Sequence, residues 1–283
     1  MIERKLLSNN VITVIGTLVN TDIKTATSQA GKDYVRGKAS IKVNDVTIEL
    51  NFFTMKMTKG GAVSKLYNTY CSLGELKGRR VEVTGYIDEA KVPTNGVIRK
   101  GNSLYLRFIN VLSDTDTRAD SATFEISGFI QEGLKAVYAE DGATVKDYVL
   151  VLGQADYNNT KAKTFRLNVD KTNTAAIDSI NNKFTVGVTA TFTGTLDFDV
   201  ETRVTTIEQS FGPALTKTTQ RSVKRYVVTS GNLVIDDAAY TQDEIKILLA
   251  GTAEDDALQL KNNGGANTQP AVNIRPSVQP RLI

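Results

Sequence analysis

Alternating apolar and polar residues recur along the chain in short runs. VEVTGYID at residues 81–88 alternates in this way, and ATFTGTLD at 190–197 repeats the pattern 109 residues later. A half-buried strand has this period of two, because successive side chains point to opposite faces of a sheet. The two segments are therefore predicted to be the same strand of a repeated unit.

Other segments repeat in the same order at similar offsets. NNVITVIGTLV at 9–19 matches SATFEISGFIQ at 121–131, with Gly16 and Gly128 in the same place. The tripeptide DYV at residue 33 recurs at residue 147, and LNF at residue 50 corresponds to LNV at residue 167. These matches predict the first, second and third strands of each copy.

A fifth strand and a helix complete each copy. The fifth strand follows a long polar loop, at 104–114 in one half and at 225–236 in the other. Between the third and fourth strands, apolar residues at helical spacing occur within 59–76 and 171–184. Each half is therefore predicted to have five strands and one helix.

Five short strands with a helix between the third and fourth is the layout of the OB-fold, a Greek-key barrel. We predict an all-β chain with short helices, made of two tandem five-stranded OB-fold barrels; a tandem β-sandwich is the alternative. Glycines in the first and fourth strands favour the barrel, because coiled strands need kinks or bulges. The predicted domains are 1–113, 114–240 and 241–283.

The third region is predicted to be a short helix and a flexible tail. TQDEIKILLA at 241–250 begins with the Thr-x-x-Glu spacing of a capping box and is followed by Gly251, a typical helix end. Asn, Gly, Gln and Pro dominate 261–283 without periodicity, which favours flexibility. The acidic residues at 254–256 are predicted to be solvated.

Composition argues against most catalytic chemistry. The chain has no His, and its single Cys71 forms neither an internal disulfide nor a thiolate cluster. LDFDVE at 196–201 has alternating carboxylates that could hold Mg²⁺, but such strand-end acids are typically solvated. We therefore expect no enzyme activity, no cofactor and no metal. The lone cysteine favours a reducing, cytoplasmic location, and no apolar run is long enough to span a membrane.

Charge is distributed unevenly between the two halves. The whole chain has a net charge of +3, but residues 1–113 carry +8, residues 114–240 carry −4 and the remainder carries −1. This asymmetry predicts different tasks for the two copies, with binding of a polyanion assigned to the first.

The outward positions of the first-half strands are basic and aromatic. In DYVRGKASIKV at 33–43, the apolar set faces inward and the Tyr, Arg and Lys residues face outward. Cations neutralise phosphates, and flat rings provide stacking surfaces for bases of any sequence. The predicted nucleic-acid contacts of the first half are Tyr34, Arg36, Lys38, Lys42, Phe53, Lys56, Arg79, Arg80, Tyr86, Arg99, Lys100, Tyr105 and Arg107.

The corresponding face of the second half has less charge. Leu150 and Leu152 are predicted to face outward in place of Arg36 and Lys38, which permits a protein interface there instead. The long loop at 201–226 is basic and lies where OB-fold loops commonly cover a ligand. The predicted auxiliary contacts are Tyr148, Arg166, Phe211, Arg221 and Lys224.

With this repeated layout and basic first unit, the sequence resembles tandem OB-fold single-stranded-DNA-binding proteins, particularly those of bacteriophages. The resemblance covers about residues 9–237 and implies a protein that coats single strands during replication or recombination. It departs from bacterial members, which end in an acidic tail with a terminal Pro-Phe, because this chain ends in RPSVQPRLI.

The leading expectation is therefore sequence-tolerant binding of single-stranded DNA, and nothing in the sequence separates DNA from RNA. A homo-oligomer and contacts with replication or recombination proteins are further expectations, and no membrane partner is expected. The alternative function is a structural or assembly protein of a phage particle, built from two β-domains.

Overall fold

The computed structural model describes residues 2, 6–139, 141–207, 211 and 215–264. Side chains are described in these ranges except at 199–207, 215, 217, 219–222, 236, 263 and 264. The predicted tail beyond residue 264 and the side chain of Arg221 lie outside the described residues.

The first half contains five strands and one helix. The strands are β1 (Asn10–Thr27), β2 (Asp33–Val43), β3 (Val46–Met55), β4 (Arg80–Thr94) and β5 (Val97–Val111). Helix α1 (Lys65–Cys71) and a 3-10 turn (Leu73–Leu76) lie between β3 and β4. This is the predicted position of the first helix.

The second half repeats the order. Its strands are β6 (Ser121–Tyr138), β7 (Val145–Ala155), β8 (Ala162–Val169), β9 (Thr189–Ile207) and β10 (Leu215–Leu233). Helix α2 (Thr174–Lys183) lies between β8 and β9, as predicted, and the side chain of Asn173 caps it by accepting from the amide of Ala176. A 3-10 turn (Asp236–Ala238) and helix α3 (Gln242–Gly264) follow.

Strand pairing runs in a circuit within each half. In the first half β1 pairs with β2, β2 with β3, β3 with β5, β5 with β4 and β4 with β1. The second half has the equivalent circuit through β6, β7, β8, β10 and β9. The β3–β5 and β8–β10 contacts are parallel, and all the other pairings are antiparallel.

A further ladder joins the two circuits. β1 and β6 pair antiparallel from Asn10 opposite Ile126 to Ile15 opposite Ser121, which makes one ten-stranded sheet. The expected all-β architecture with short helices is confirmed. The division into two tandem five-stranded barrels stays a prediction, because this ladder joins the two circuits in one mixed sheet.

The main core is shared by both halves. Inward residues of the first-half strands, such as Ile12 and Leu50, belong to the same buried cluster as Phe165 and Phe192 of the second half. A smaller cluster forms where α3 packs on the second half, through Ile245 and Leu248. No helix in the described ranges is long and apolar enough to cross a lipid bilayer.

Leu150 and Leu152 are fully buried, so their predicted outward orientation is wrong. Gly16 lies against the carbonyl of Lys42 and the side chain of Ile41, and Gly128 lies equivalently against Gly153 and Leu152. Leu152 therefore corresponds to Ile41, at an offset of 111 residues. The repeated DYV tripeptide implies an offset of 114 residues, which would align Leu152 with Lys38. An odd difference in register moves every side chain to the opposite face, so these leucines belong to the core.

Helix α3 begins as predicted but does not end at Gly251. Thr241 and Glu244 form the predicted capping box, because the amide of Thr241 donates to Glu244 (2.8 Å) and that of Glu244 donates to Thr241 (3.3 Å). The helix continues to Gly264, and Gly251 lies where a Cβ would overlap the carbonyl oxygen of Thr160. This glycine permits close packing of the helix and does not cap it.

Replacing Gly251 by alanine is expected to lower the free energy of unfolding by about 1–2 kcal/mol, because overpacking against Thr160 outweighs alanine's helix propensity. Gly101→Ala is the matched control, since no atom lies within 4 Å of a Cβ built there. Urea denaturation of both variants measures the difference. Equal stability of the two variants would contradict this role for Gly251.

Candidate nucleic-acid interface

The outward side chains of β2 and β3 form one end of a continuous surface. Arg36 lies opposite Phe53, and Lys38 lies opposite Asn51 in the antiparallel pairing of the two strands. Alternate residues of β2 such as Val35 and Ile41 are fully buried. The predicted inward and outward sets of β2 are therefore confirmed, and Arg36 and Lys38 are exposed as predicted.

The same surface continues across β5 and β4. Asn51 is the β3 residue that contacts Tyr105 of β5, and Tyr105 in turn lies opposite Tyr86 of β4. A single row thus runs from Lys38 through Asn51 and Tyr105 to Tyr86. We call this surface the aromatic–basic face; it comprises Tyr34, Arg36, Lys38, Phe53, Tyr86, Tyr105 and Arg107.

Aromatic rings on this face lie in two pairs, each with a guanidinium group nearby. Tyr86 and Tyr105 stack with centroids 5.4 Å apart and planes inclined by 14°, and the Arg107 guanidinium lies 5.3 Å from the centre of Tyr86. Tyr34 and Phe53 have centroids 5.6 Å apart, with the Arg36 guanidinium 6.0 Å from the ring of Tyr34. Cation–π contacts of this kind hold each guanidinium beside a flat ring.

A groove of about 440 Å³ crosses the centre of the aromatic–basic face. Its lining residues are Asp22, Lys24, Arg36, Gly37, Lys38, Asn51, Phe52, Phe53 and Tyr105. Rings, an amide and three cations therefore meet in one open depression. Such a set of groups can hold a planar apolar ring and an adjacent phosphate together.

The cations of the groove are exposed and only weakly paired. Lys38 lies 3.4 Å from Glu49, and Lys24 lies 3.3 Å from Asp22, with about half or more of each side chain exposed. Exposed ion pairs contribute little, so both lysines can exchange a carboxylate for a phosphate at small cost. Within the described part of the chain, no carboxylate lies at ion-pair distance from Arg36.

Tyr70 of α1 supports the face from the inside. Its buried hydroxyl donates to the carbonyls of Leu106 (2.9 Å) and Arg107 (3.2 Å), and burial raises the pKa of Tyr70 to about 12. Arg107 lies at a bulge, because Thr84 pairs with Phe108 whereas Gly85 pairs with Leu106. Tyr70 therefore remains a hydrogen-bond donor and fixes the backbone that directs Arg107 outward. Burial is also the main reason why the pKa of Tyr86 is raised.

Some predicted contacts lie outside the groove. Lys42 is exposed at the far end of β2, and Arg79 is exposed just before β4. Lys56 forms an ion pair with Asp33 at 3.1 Å, at the edge of the face. These three lysine and arginine side chains are thus peripheral to the row of rings.

Arg80 and Lys100 were also predicted to contact nucleic acid, but both form ion pairs within the protein. Arg80 donates to Asp120 at 3.1 Å and to the backbone of Asp116, so it ties β4 to the connector between the halves. Lys100 lies 2.7 Å from Asp256 of α3. Arg99, next to Lys100 near the tip of the β4–β5 hairpin, is exposed.

None of the second-half candidates with a described side chain lines the groove. Tyr148 is half-buried and packs on the core, and Arg166 is exposed on β8. The Lys224 ammonium lies 5.7 Å from the Phe198 ring, and Phe211, which comes between β9 and β10 in the sequence, is 96% exposed. The structure thus groups seven first-half residues and leaves the second-half set dispersed.

Sequence reasoning missed two contributions to this surface. Lys24 lines the groove because β1 extends to Thr27 and pairs with β2, placing Lys24 opposite Arg36. The alternation of Asp22, Ile23 and Lys24 was the signal for this longer strand. Phe108 is 51% exposed, because the bulge at Arg107 shifts it to the outer side, and no sequence signal marks that bulge.

No set of three His, Cys, Asp or Glu side chains in the described ranges is arranged to hold a metal ion. The rings and cations of the aromatic–basic face are the candidate site. Their chemistry is that of stacking and charge neutralisation.

Three solved structures have partial similarity to the chain. The single-stranded DNA binding protein from Thermus aquaticus matches at 15% identity and a TM-score of 0.45, covering 83% of this chain and 97% of that one. A deletion mutant of that protein gives the same identity and TM-score over 98% of its length. A Replication Protein A heterotrimer bound to ssDNA matches at 10% identity and a TM-score of 0.23, over 89% of this chain and 53% of that chain. At these scores neither topology nor ligand carries over.

No curated protein matches the chain. A family model does: the model described as YorF matches residues 8–264, which include both strand circuits, the aromatic–basic face and helix α3. Since the match extends over nearly all of the described residues, the chain belongs to the YorF family.

Proposed function

We propose that this protein binds single-stranded DNA without sequence preference through the aromatic–basic face. The observation that carries the proposal is the row from Lys38 through Asn51 and Tyr105 to Tyr86, which places cations and stacked rings side by side on one surface. Unpaired bases have free ring faces that stack on such side chains, typically contributing about 1–3 kcal/mol per base. Paired bases in a duplex do not offer those faces.

The positive charge around the rings also favours single-stranded DNA as the ligand. Arg36, Lys38, Lys24 and Arg107 surround the rings, and the first half of the chain has a net charge of +8. Each cation that neutralises a phosphate releases a counterion, so affinity should fall as salt rises. With three or four phosphate contacts, the slope of log K against log salt should be about −2 to −3.

We further infer that each strand circuit is an OB-fold barrel, and that the first barrel supplies the ligand-binding surface. The closed order of pairing and the helix between the third and fourth strands support this assignment. Coating of single strands exposed during replication or recombination is the role we propose for the whole protein. The assembly-protein alternative loses one of the features that favoured it, because Leu150 and Leu152 are buried.

Fluorescence anisotropy with labelled oligo-dT across a salt series tests the proposal, with oligo-rU and a duplex of the same length as competitors. We expect tight binding of oligo-dT at low salt, a linear loss of affinity with log salt and weak competition by the duplex. The proposal would be wrong if oligo-dT did not bind measurably at low salt, or if the duplex bound with the same affinity as oligo-dT. The rU competitor decides between DNA and RNA.

A further inference from the structure

A line of exposed apolar side chains extends the aromatic–basic face beyond the end of β3. Phe53 and Met55 are two residues apart in β3 and share a face, and Met57 follows in an isolated bridge with Val63. The exposed fractions are 51% for Phe53, 37% for Met55, and 50% each for Met57 and Val63. We call Met55, Met57 and Val63 the apolar ledge.

The loop that carries the ledge has a defined conformation. The amide of Thr58 donates to Ala62 (2.8 Å), and that of Ser64 donates to Lys56 (2.7 Å), which closes a small hairpin around the Met57–Val63 bridge. The amide of Lys56 donates to Asp33, and its ammonium pairs with the same residue. The ledge is thus tied to the start of β2 and held beside Tyr34.

A second groove of about 450 Å³ lies against two of the ledge residues, Met55 and Met57. It is lined by Gly31, Lys32, Asp33, Met55, Met57, Thr58 and Lys59. Phe53 lines the first groove, Met55 lines the second, and Met55 lies opposite Tyr34 in the sheet. The two grooves are therefore lined by residues two positions apart on the same face of β3.

Several adjacent exposed apolar side chains on a soluble protein indicate a binding surface. Exposed lysines at 32 and 59 flank this one, so the ligand should combine apolar surfaces with negative charge. A single strand of nucleic acid that already occupies the aromatic–basic face has both properties and would reach the ledge next. Neither lysine has an ion-pair partner among the described residues.

We infer that the ledge is a further subsite for single-stranded nucleic acid, which holds bases that continue past Phe53 on Met55, Met57 and Val63. This inference rests on the proposed function. Strand geometry gives a length of about 13 Å from Phe53 to Met57, at ~3.3 Å per residue. At ~3.4 Å per stacked nucleotide, that length accommodates two or more bases.

The test compares Val63→Glu with Val92→Glu, a matched control at a 57% exposed valine of the β4–β5 hairpin. Both variants are titrated with oligo-dT of about 6 and about 16 nucleotides, the range of site sizes of one OB-fold. For Val63→Glu we expect a 5- to 10-fold loss of affinity for the longer oligonucleotide and less than a 2-fold loss for the shorter one. Val92→Glu should match the wild type at both lengths.

The double variant Met57→Ala with Val63→Ala removes the apolar surface without adding charge, and it replaces Val63→Glu if that variant fails to fold. It should give a 3- to 5-fold loss of affinity for the longer oligonucleotide.

Equal affinities of ledge and control variants at both lengths would overturn the subsite while leaving the proposed function intact. A changed oligomeric state in size-exclusion chromatography, with unchanged DNA affinity, would assign the ledge to protein contact and also overturn it. Absence of wild-type binding would overturn both proposals.

Discussion

The double variant Arg36→Glu with Lys38→Glu is expected to lower the affinity for oligo-dT by about 100-fold at low salt, or about 2.8 kcal/mol. Both side chains line the groove and lie opposite Phe53 and Asn51 on β3. Reversal of their charge removes two phosphate contacts and adds repulsion. Because fewer counterions are then released, the slope of log K against log salt should become shallower by about 1–1.5.

The control for this variant is Lys171→Glu with Lys183→Glu, which makes the same change in net charge on exposed lysines beside α2. When both double variants are compared at 0.1 M salt, the affinity of the control should stay within about 3-fold of the wild type, since long-range charge effects are then screened beyond about 10 Å. Equal losses for the two double variants would show that net charge, and not the aromatic–basic face, determines binding.

The second large effect concerns stability. Asp255→Ala is expected to lower the free energy of unfolding by about 2–3 kcal/mol, because it removes the ion-pair partner of Lys161 and one of the carboxylates that pair with Lys91, whose side chain is only 12% exposed. Asp255 of α3 accepts from Lys91 of the β4–β5 hairpin and from Lys161 next to β8, both at 2.6 Å. One carboxylate thus connects the two halves of the chain and helix α3. The prediction that this acidic segment is solvated is wrong for Asp255 and for its neighbour Asp256.

The pH dependence of this variant provides a separate check. Hydrogen bonds from Lys161 and Lys91 hold the pKa of Asp255 below its usual value. Burial alone would raise the pKa of Asp256, but hydrogen bonds from Lys100 and Lys91 outweigh it and lower that pKa. A lowered folded-state pKa stabilises the fold above the unfolded value of about 3.9, and this stabilisation is lost as the pH falls through the folded value. The difference between wild type and Asp255→Ala should therefore narrow below about pH 4.

Glu254→Ala is the control for Asp255→Ala, because Glu254 is the exposed neighbour in the same helix. Its effect on urea denaturation should stay within about 0.5 kcal/mol. If Asp255→Ala is no more destabilising than Glu254→Ala at pH 7, the proposed link between the halves through α3 is wrong.

The strand pattern of the first half could be predicted because one side of each strand is buried. Period-two alternation in β2 fixed which residues face outward, and it placed Arg36 and Lys38 correctly. Tyr86 and Tyr105 could also be assigned to the outer face, but their stacking depends on the pairing of β4 with β5, which a single sequence does not specify.

The predictions that were wrong concern features set by contacts between residues far apart in the sequence. The register of β7 depends on how Gly128 packs against Gly153, and the repeated DYV tripeptide suggested a different register. Gly251 is a typical helix terminator, but here it lets α3 pack closely against Thr160, a contact that the local sequence does not show. Lys100 was predicted to bind nucleic acid because the partner that neutralises it, Asp256, is 156 residues away.

The side chain of Asn102 has a consequence for fragments of this protein. Its amide donates to the carbonyl of Arg166 at 2.8 Å and accepts from the amide of Arg166 at 3.1 Å, which are the two bonds that a neighbouring strand would make. One side chain of the first half thus shields the open edge of β8 in the second. A second half expressed alone would expose that edge and also the side of β6 that pairs with β1, and unpaired strand edges promote aggregation. The two halves are therefore better compared by point substitution in the whole chain than by dissection.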